Sequence, residues 1–230
     1  MPATSPSHPL DNPTWESLQG AHANFAETVG EAARYEADVA PFAALPDDAS
    51  PACWADLVAL VGAGKELVLV DEPPGAPSDW TMLGRTRGVQ LTGADLAVEP
   101  CPEAVTLGVT DVAEMTDLVE RTKPGPFRPR TIELGRYLGI RVDGELVAMA
   151  GERLHPAGWT EISAVCTDER FRGRGYASRL IRAVGYGIRE RGEMPFLHAS
   201  AQNTNAIRLY ESMGFVLRRP RVFTAWRLPG

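Results

Sequence analysis

An apolar strand that runs through an arginine- and glycine-bearing loop straight into an amphipathic helix leaves a chain few ways to fold, and residues 162–188 have that form. The strand covers residues 162–167, the loop residues 170–175, and the helix follows at once. Gly173 and Gly175 lack a Cβ, so the backbone between them can turn successive N–H groups toward an anion, and the first turn of the helix adds the positive end of its dipole. Arg170, Arg172 and Arg174 add cationic forks beside Phe171, Tyr176 and Ala177. Ala177, Leu180, Ile181, Val184 and Ile188 recur at i, i+3, i+4 spacing and give the helix one face for a sheet. The unit reads as a phosphate cradle backed by a packed helix.

A second segment, residues 203–215, reads N-T-N-A-I-R-L-Y-E-S-M-G-F and places Tyr210 in a helix that stops at Gly214. Together, Arg170-x-x-Gly173-x-Gly175 and Asn203-x-x-Ala206-x-x-Leu209-Tyr210-x-x-x-Gly214-Phe215 resemble, without gaps, the paired motifs of the GNAT acetyltransferase superfamily. Either half alone is weak, because a short Arg/Gly pattern arises by chance; their order, spacing and strand-helix setting carry the match. It spans residues 106–228. What it implies is an α/β (α+β) GNAT fold, with a mixed, mostly antiparallel twisted sheet flanked by helices, plus a smaller N-terminal α/β region. It further implies N-acetyl transfer with acetyl-CoA as cosubstrate and no metal.

The chain of 230 residues is 44% apolar and 23% charged, which permits a sizeable core in one large or two modest domains. A net charge of −7 argues against broad binding to nucleic acid or an anionic membrane. Residues 170–191 nevertheless hold seven arginines against the single acid Glu190, a local patch suited to a small polyanion. Arg182 and Arg189 are read instead as a solvated helix face. Cys53, Cys101 and Cys166 are odd in number and widely spaced, so no disulfide framework or zinc site is indicated and a reducing cytoplasm fits. The first ten residues carry neither a charged n-region nor an apolar run and read as a short disordered lead.

Residues 18–39 are Ala/Glu-rich without proline and read as helix, as do residues 53–61. Residues 65–70 and 89–91 are strand candidates, and Pro100 and Pro102 close the region. The expected boundary divides a region of residues 1–103, in which a degenerate GNAT-like repeat and a separate cap are both open, from a GNAT domain of residues 104–230. In that second part residues 106–110 read as a strand, Asp111 as an N-cap and residues 112–121 as a helix. Asp143-Gly144 is the best hairpin signal in the chain, and His155-Pro-Ala-Gly158 closes another hairpin into residues 160–167. Residues 196–200 and 221–228 supply the last strands.

The resemblance assigns roles. The pyrophosphate of acetyl-CoA is expected on the backbone N–H groups from Phe171 to Ala177, and the pantetheine arm along Ser163, Ala164 and Val165 like an added strand. Asn203 would bond the cofactor arm, in competition with a role as helix N-cap. Tyr210 is the group expected to meet the departing thiolate. A phenol near ~10 is a weaker acid than a thiol near ~8.5, so hydrogen-bond donation rather than full proton transfer is the useful act. An ammonium acceptor must lose a proton first, and two bases are open. Glu161, six residues before Thr167, resembles the base of the glycine N-acyltransferase subgroup. His198 has an intrinsic pKa, ~6.5, better matched to neutral work than that of Glu, ~4.3. Residues 124–130, with Phe127, Arg128 and Arg130, either line the acceptor pocket or merely stiffen a connector.

Gly173-x-Gly175-x-x-Ser178 nearly fits a dinucleotide fingerprint, but the preceding strands are hairpin-linked rather than βαβ, which opposes an oxidoreductase. A non-catalytic acyl-CoA sensor would keep every cofactor feature. Glu161 and Tyr210 favour an enzyme that passes acetyl to a small-molecule or peptide amine in a ternary complex.

Overall fold

Asp143 and Gly144 have φ of 52° and 86°, the left-handed pair that a two-residue hairpin demands, and they turn the chain back on itself as the sequence requires. In the computed structural model, which describes residues 8–230, that hairpin belongs to a large mixed twisted sheet flanked by helices. In chain order the elements are α1 (Pro13–Gln19), β1 (Ala26–Val29), β2 (Ala32–Tyr35), β3 (Ala43–Ala44), α2 (Pro51–Val61), β4 (Glu66–Val70), β5 (Thr81–Thr92) and β6 (Val105–Leu107). There follow α3 (Val112–Thr122), β7 (Tyr137–Val142), β8 (Glu145–Glu152), β9 (Trp159–Thr167), α4 (Tyr176–Glu190), β10 (Met194–Ser200), α5 (Thr204–Ser212) and β11 (Val216–Arg227). The eight-stranded sheet runs β4-β11-β5-β10-β9-β8-β7-β6, and β1-β2-β3 form a separate small one. Its neighbours are antiparallel except β9 and β10, the two strands joined through α4.

The helical periodicity read from residues 177–188 is realised. Leu180, Ile181, Val184 and Ile188 are 0–1% exposed and pack with Leu91, Leu197, Tyr210 and Phe215 in one core between sheet and helices. Each such burial contributes roughly 1.5–3 kcal/mol. The other face of the sheet is covered by α3, over Met115 and Leu118, and by the N-terminal residues, through Leu10, Tyr35 and Phe42.

Residues 18–39 are not a helix. The chain leaves α1 at Gln19 and forms the β1–β2 hairpin across Gly30, whose φ of 52° breaks any helix there. β2 then buries Ala32, Ala33 and Tyr35 against neighbouring clusters, so tertiary packing overrides alanine's helix preference. The short strand expected at 89–91 is the end of β5, twelve residues long, which lies between β10 and β11. β4 and β5, both from before residue 104, therefore share the sheet with β6–β11. Asp111 stands at the N-cap position of α3, but its carboxylate accepts from the Gly108 N–H at 2.8 Å and from Arg141 instead of capping. Residues 1–7 of the expected disordered lead lie outside the described residues. Its end is docked: Leu10 is fully buried, and its carbonyl accepts from Arg221 and Gln90. Among the described residues no helix is long and apolar enough to cross a membrane.

Candidate functional site

β9 pairs with β10 only from Trp159↔Met194 to Glu161↔Phe196, and beyond that point the two strands part. On the other side of β9 the register with β8 slips, and Ala164 takes a φ of 52°, so the strand bends away from its neighbour. A groove of about 1250 Å³ occupies the gap and runs from the Arg/Gly loop to the opposite face of the sheet.

At the loop end, Gly173 and Gly175 have φ of 78° and 77°, and no chain atom would come closer than 3.6 Å to a Cβ added at either, so the space over the loop is open. The N–H groups of Phe171 and Arg172 are spent on the turn, donating to Asp168 and Glu169. Those of residues 173–178 have no acceptor among the described residues and sit at the N-terminus of α4. Phe171 thus contributes its ring, which lies under the guanidinium groups of Arg170 and Arg174, rather than its amide. Arg172 and Arg174 line the groove. Arg170 does not; it is held by Asp168 and Glu145. Arg182 pairs with exposed Glu99 at the surface, while Arg189 donates to the carbonyls of Gly93 and Ala94.

Farther in, Val165 lines the groove while Ser163 and Ala164 sit just before it on β9. Asn203 does cap α5, its Oδ1 accepting from Ala206 N–H at 3.2 Å, yet Nδ2 donates to nothing among the described residues and the side chain borders the groove. Capping through Oδ1 leaves Nδ2 free at the edge of the groove. Tyr210 is 9% exposed, packs its ring edge-on to Phe215, and also lines the groove. Burial pushes its phenol up to about 12.

The two base candidates meet. Glu161, fully buried, accepts from Arg153 Nε at 2.8 Å and Nη2 at 2.6 Å, and lies 2.8 Å from His198 Nδ1. A carboxylate only accepts, so Nδ1 carries the ring proton and Nε2 accepts from the Gln90 amide at 3.1 Å. Burial alone would raise Glu161, but the charge of Arg153 and the His198 ring outweigh it and hold the carboxyl at about 2. Burial lowers His198 below the ordinary imidazole value, with Glu161 opposing. His198 and Arg153 line the groove; Glu161 does not.

Arg153, Gln90 and Phe42 were invisible as site residues in the sequence. The one available signal was a pair of charges, Glu152 and Arg153, closing the apolar β8 run, and both prove buried. In the 124–130 connector, Pro124, Gly125 and Pro126 line the groove, but Phe127 packs on Tyr137 and Arg130 is bound by Glu36 and Glu133. Among the described residues no group of three or more His, Cys, Asp or Glu is placed to hold a metal ion.

A splayed parallel pair, a glycine loop at a helix N-terminus and a tyrosine facing the gap define an acyl-transfer type of site, and comparison with known proteins agrees. A family model described as FR47-like protein matches residues 137–224. A crystal structure of a putative GNAT-family acetyltransferase from Novosphingobium aromaticivorans is 40% identical, superposes with a TM-score of 0.89, and covers 97% of this chain and 100% of its own. A GCN5-related N-acetyltransferase from Kribbella flavida shares the fold at 19% identity and a TM-score of 0.63, with 94% of each chain covered. A search of curated proteins finds no match. The chain belongs to the GNAT family of N-acetyltransferases. None of these matches points to the glycine N-acyltransferase subgroup.

Proposed function

We propose that the protein transfers an acetyl group from acetyl-CoA to a primary amine by direct attack in a ternary complex within the splay of β9 and β10. The observation that carries this reading is the continuity of one groove from the free N–H groups of the Arg/Gly loop, past Tyr210, to His198 on the other face of the sheet. The residues fit the cosubstrate: the free amides of residues 173–178, with Arg172 and Arg174, match a diphosphate, and the unpaired stretch of β9 around Val165 offers backbone groups to an amide-bearing arm. Acetyl-CoA supplies the activated acyl carbonyl. The chain supplies position and protons.

Tyr210 is assigned the hydrogen bond to the departing sulfur, since it lines the groove and a phenol held at about 12 keeps its proton at neutral pH. Asn203 Nδ2 is assigned to the cosubstrate arm. Of the two base candidates, the proposal selects His198 as the group that receives the ammonium proton, directly or through water, because it borders the groove and Glu161 does not. Nε2 must exchange the Gln90 amide for that proton. Glu161 fixes the tautomer and stabilises the charged ring, the part an orienting carboxylate plays behind a histidine base.

The test is calorimetric titration of CoA and desulfo-CoA, together with thiol release from acetyl-CoA across a panel of amines. CoA binding with amine-dependent thiol release is expected. Binding without release would return the sensor reading, and a folded protein that binds no CoA would overturn the assignment of the groove.

A further inference from the structure

The groove contains no aspartate or glutamate among its described lining residues, although the whole chain is acidic. Its basic side chains are Lys123, Arg153, Arg172, Arg174 and His198. Arg172 and Arg174 belong to the loop end. Arg153 stands farther along β9 at the level of Glu161, where nothing in the proposed reaction uses it, whereas Lys123 follows Arg121 and Thr122, whose contacts are Asp168 and Cys166.

Arg153 is held in a fixed pose: Phe42 lies under its guanidinium, 5.1 Å from ring centroid to Cζ, and Glu161 takes Nε and Nη2. Nη1 donates to nothing among the described residues, and the side chain borders the groove while only 8% of the residue is exposed. A guanidinium presents five donors in a plane, so the edge left over is a preformed receptor for an oxyanion. Arg153 Nη2 and His198 Nδ1 share one oxygen of Glu161, so they lie no farther apart than those two hydrogen bonds end to end. The proton acceptor and the anion receptor are thus neighbours. Phe42, Val68, Phe223 and Ala225 give the same end of the groove apolar walls.

We infer that the acceptor is an amine bearing its own carboxylate close to the nitrogen, an amino acid with an apolar side chain, and that Arg153 binds that carboxylate. This deepens the proposed acetyl transfer and rests on it. Polyamines and other polycations meet the Arg153 guanidinium and no lining carboxylate in this groove and are excluded as good acceptors.

The experiment compares thiol release with phenylalanine and leucine, their amides, phenethylamine, isopentylamine and spermidine. The acids are expected to exceed the amides and the decarboxylated amines by about tenfold or more in kcat/KM. In Arg153→Lys the acid-to-amide ratio should fall toward one, whereas a purely structural role for Arg153 lowers both substrates alike and leaves the ratio unchanged. Arg153 is buried against Glu161, so Phe42→Leu, which removes the ring that fixes the guanidinium and keeps an apolar side chain, is the second variant and is expected to lower the same ratio. Amides or spermidine turning over as well as the acids, or a ratio unmoved in both variants, overturns the inference. Calorimetry of N-acetylphenylalanine and its amide on CoA-saturated protein reads the anion site without turnover. Selective binding of the acid with no thiol release from any amine sinks the transfer reading and upholds the receptor; thiol release with no preference for acids does the reverse.

Discussion

Tyr210 is 9% exposed and carries a phenol held at about 12, so it neither ionises near neutrality nor gives its proton fully to a thiolate. What it can give is one charge-assisted hydrogen bond, about 1.5–3 kcal/mol, to a sulfur that becomes anionic only as the bond breaks. Tyr210→Phe should therefore lower kcat by about ten- to a hundredfold while leaving the dissociation constant of CoA within about threefold. Steady-state kinetics with calorimetry checks both halves, and a variant with full turnover removes Tyr210 from the chemistry. His198 makes a prediction in pH. A base works only unprotonated, so kcat/KM falls as pH drops through its pKa, and burial puts that limb below the ordinary ~6.5. Glu161 is what partly holds the ring up, and Arg153 pushes it down. Glu161→Gln removes the first and unmasks the second, so the acid limb should move further down in pH. A limb that stays in place would show that another group takes the proton.

At the scale of elements, the strand-loop-helix unit works because two residues hold left-handed φ beside a helix N-terminus. Gly175→Val forces a β-branched side chain to φ of 77°, a strain of at least ~1–2 kcal/mol, and puts a side chain where a diphosphate would lie. CoA affinity should drop by about tenfold or more, with the helix still formed because its buried face is untouched; titration of CoA with a circular-dichroism control decides it. These devices were legible in the sequence because each is local. Asp143-Gly144 needs only its own φ values, the glycine loop only its neighbours, and α4 only its 3.6-residue period. The helix expected over residues 18–39 does not form because alanine's preference is local too, while the force that makes β2 a strand is burial of Ala33 and Tyr35 against residues far along the chain. β5 hid for the same reason: residues 81–87 are exposed and do not alternate, and their strand exists through pairing with β11. Arg153, Glu161 and His198 come from three segments, and only the order of the strands joins them.

Across the whole molecule, the residues before the recognisable motifs are bound into what those motifs build. The rings of His22 and His155 lie 4.8 Å apart, tilted by 46°, and burial together with the neighbouring His155 lowers His22 to about 4. Between ~6.5 and 4 an unfolded chain binds a proton there that the folded chain refuses, so stability falls as pH drops across that window. His22 alone should remove about 2 kcal/mol between pH 7.5 and 5, with His155 shifted in the same direction. Urea unfolding at the two pH values measures it, and His22→Gln should flatten the dependence. The sheet yields the sharper test. β11 pairs with β5 from Val216↔Thr92 to Arg227↔Thr81, and β10 pairs with the end of the same strand, so β5 is what attaches β11 to the rest. A fragment starting at Ala104 loses β5 and exposes Leu91's place in the main core together with an edge of β10 beside the groove. Such a fragment should fail to fold cooperatively and should bind no CoA, even though it contains both sequence motifs whole. A soluble fragment with a sharp thermal transition and CoA affinity near that of the full chain would mean that the motif half carries its own core, and that the strands from the first 103 residues serve only the acceptor side.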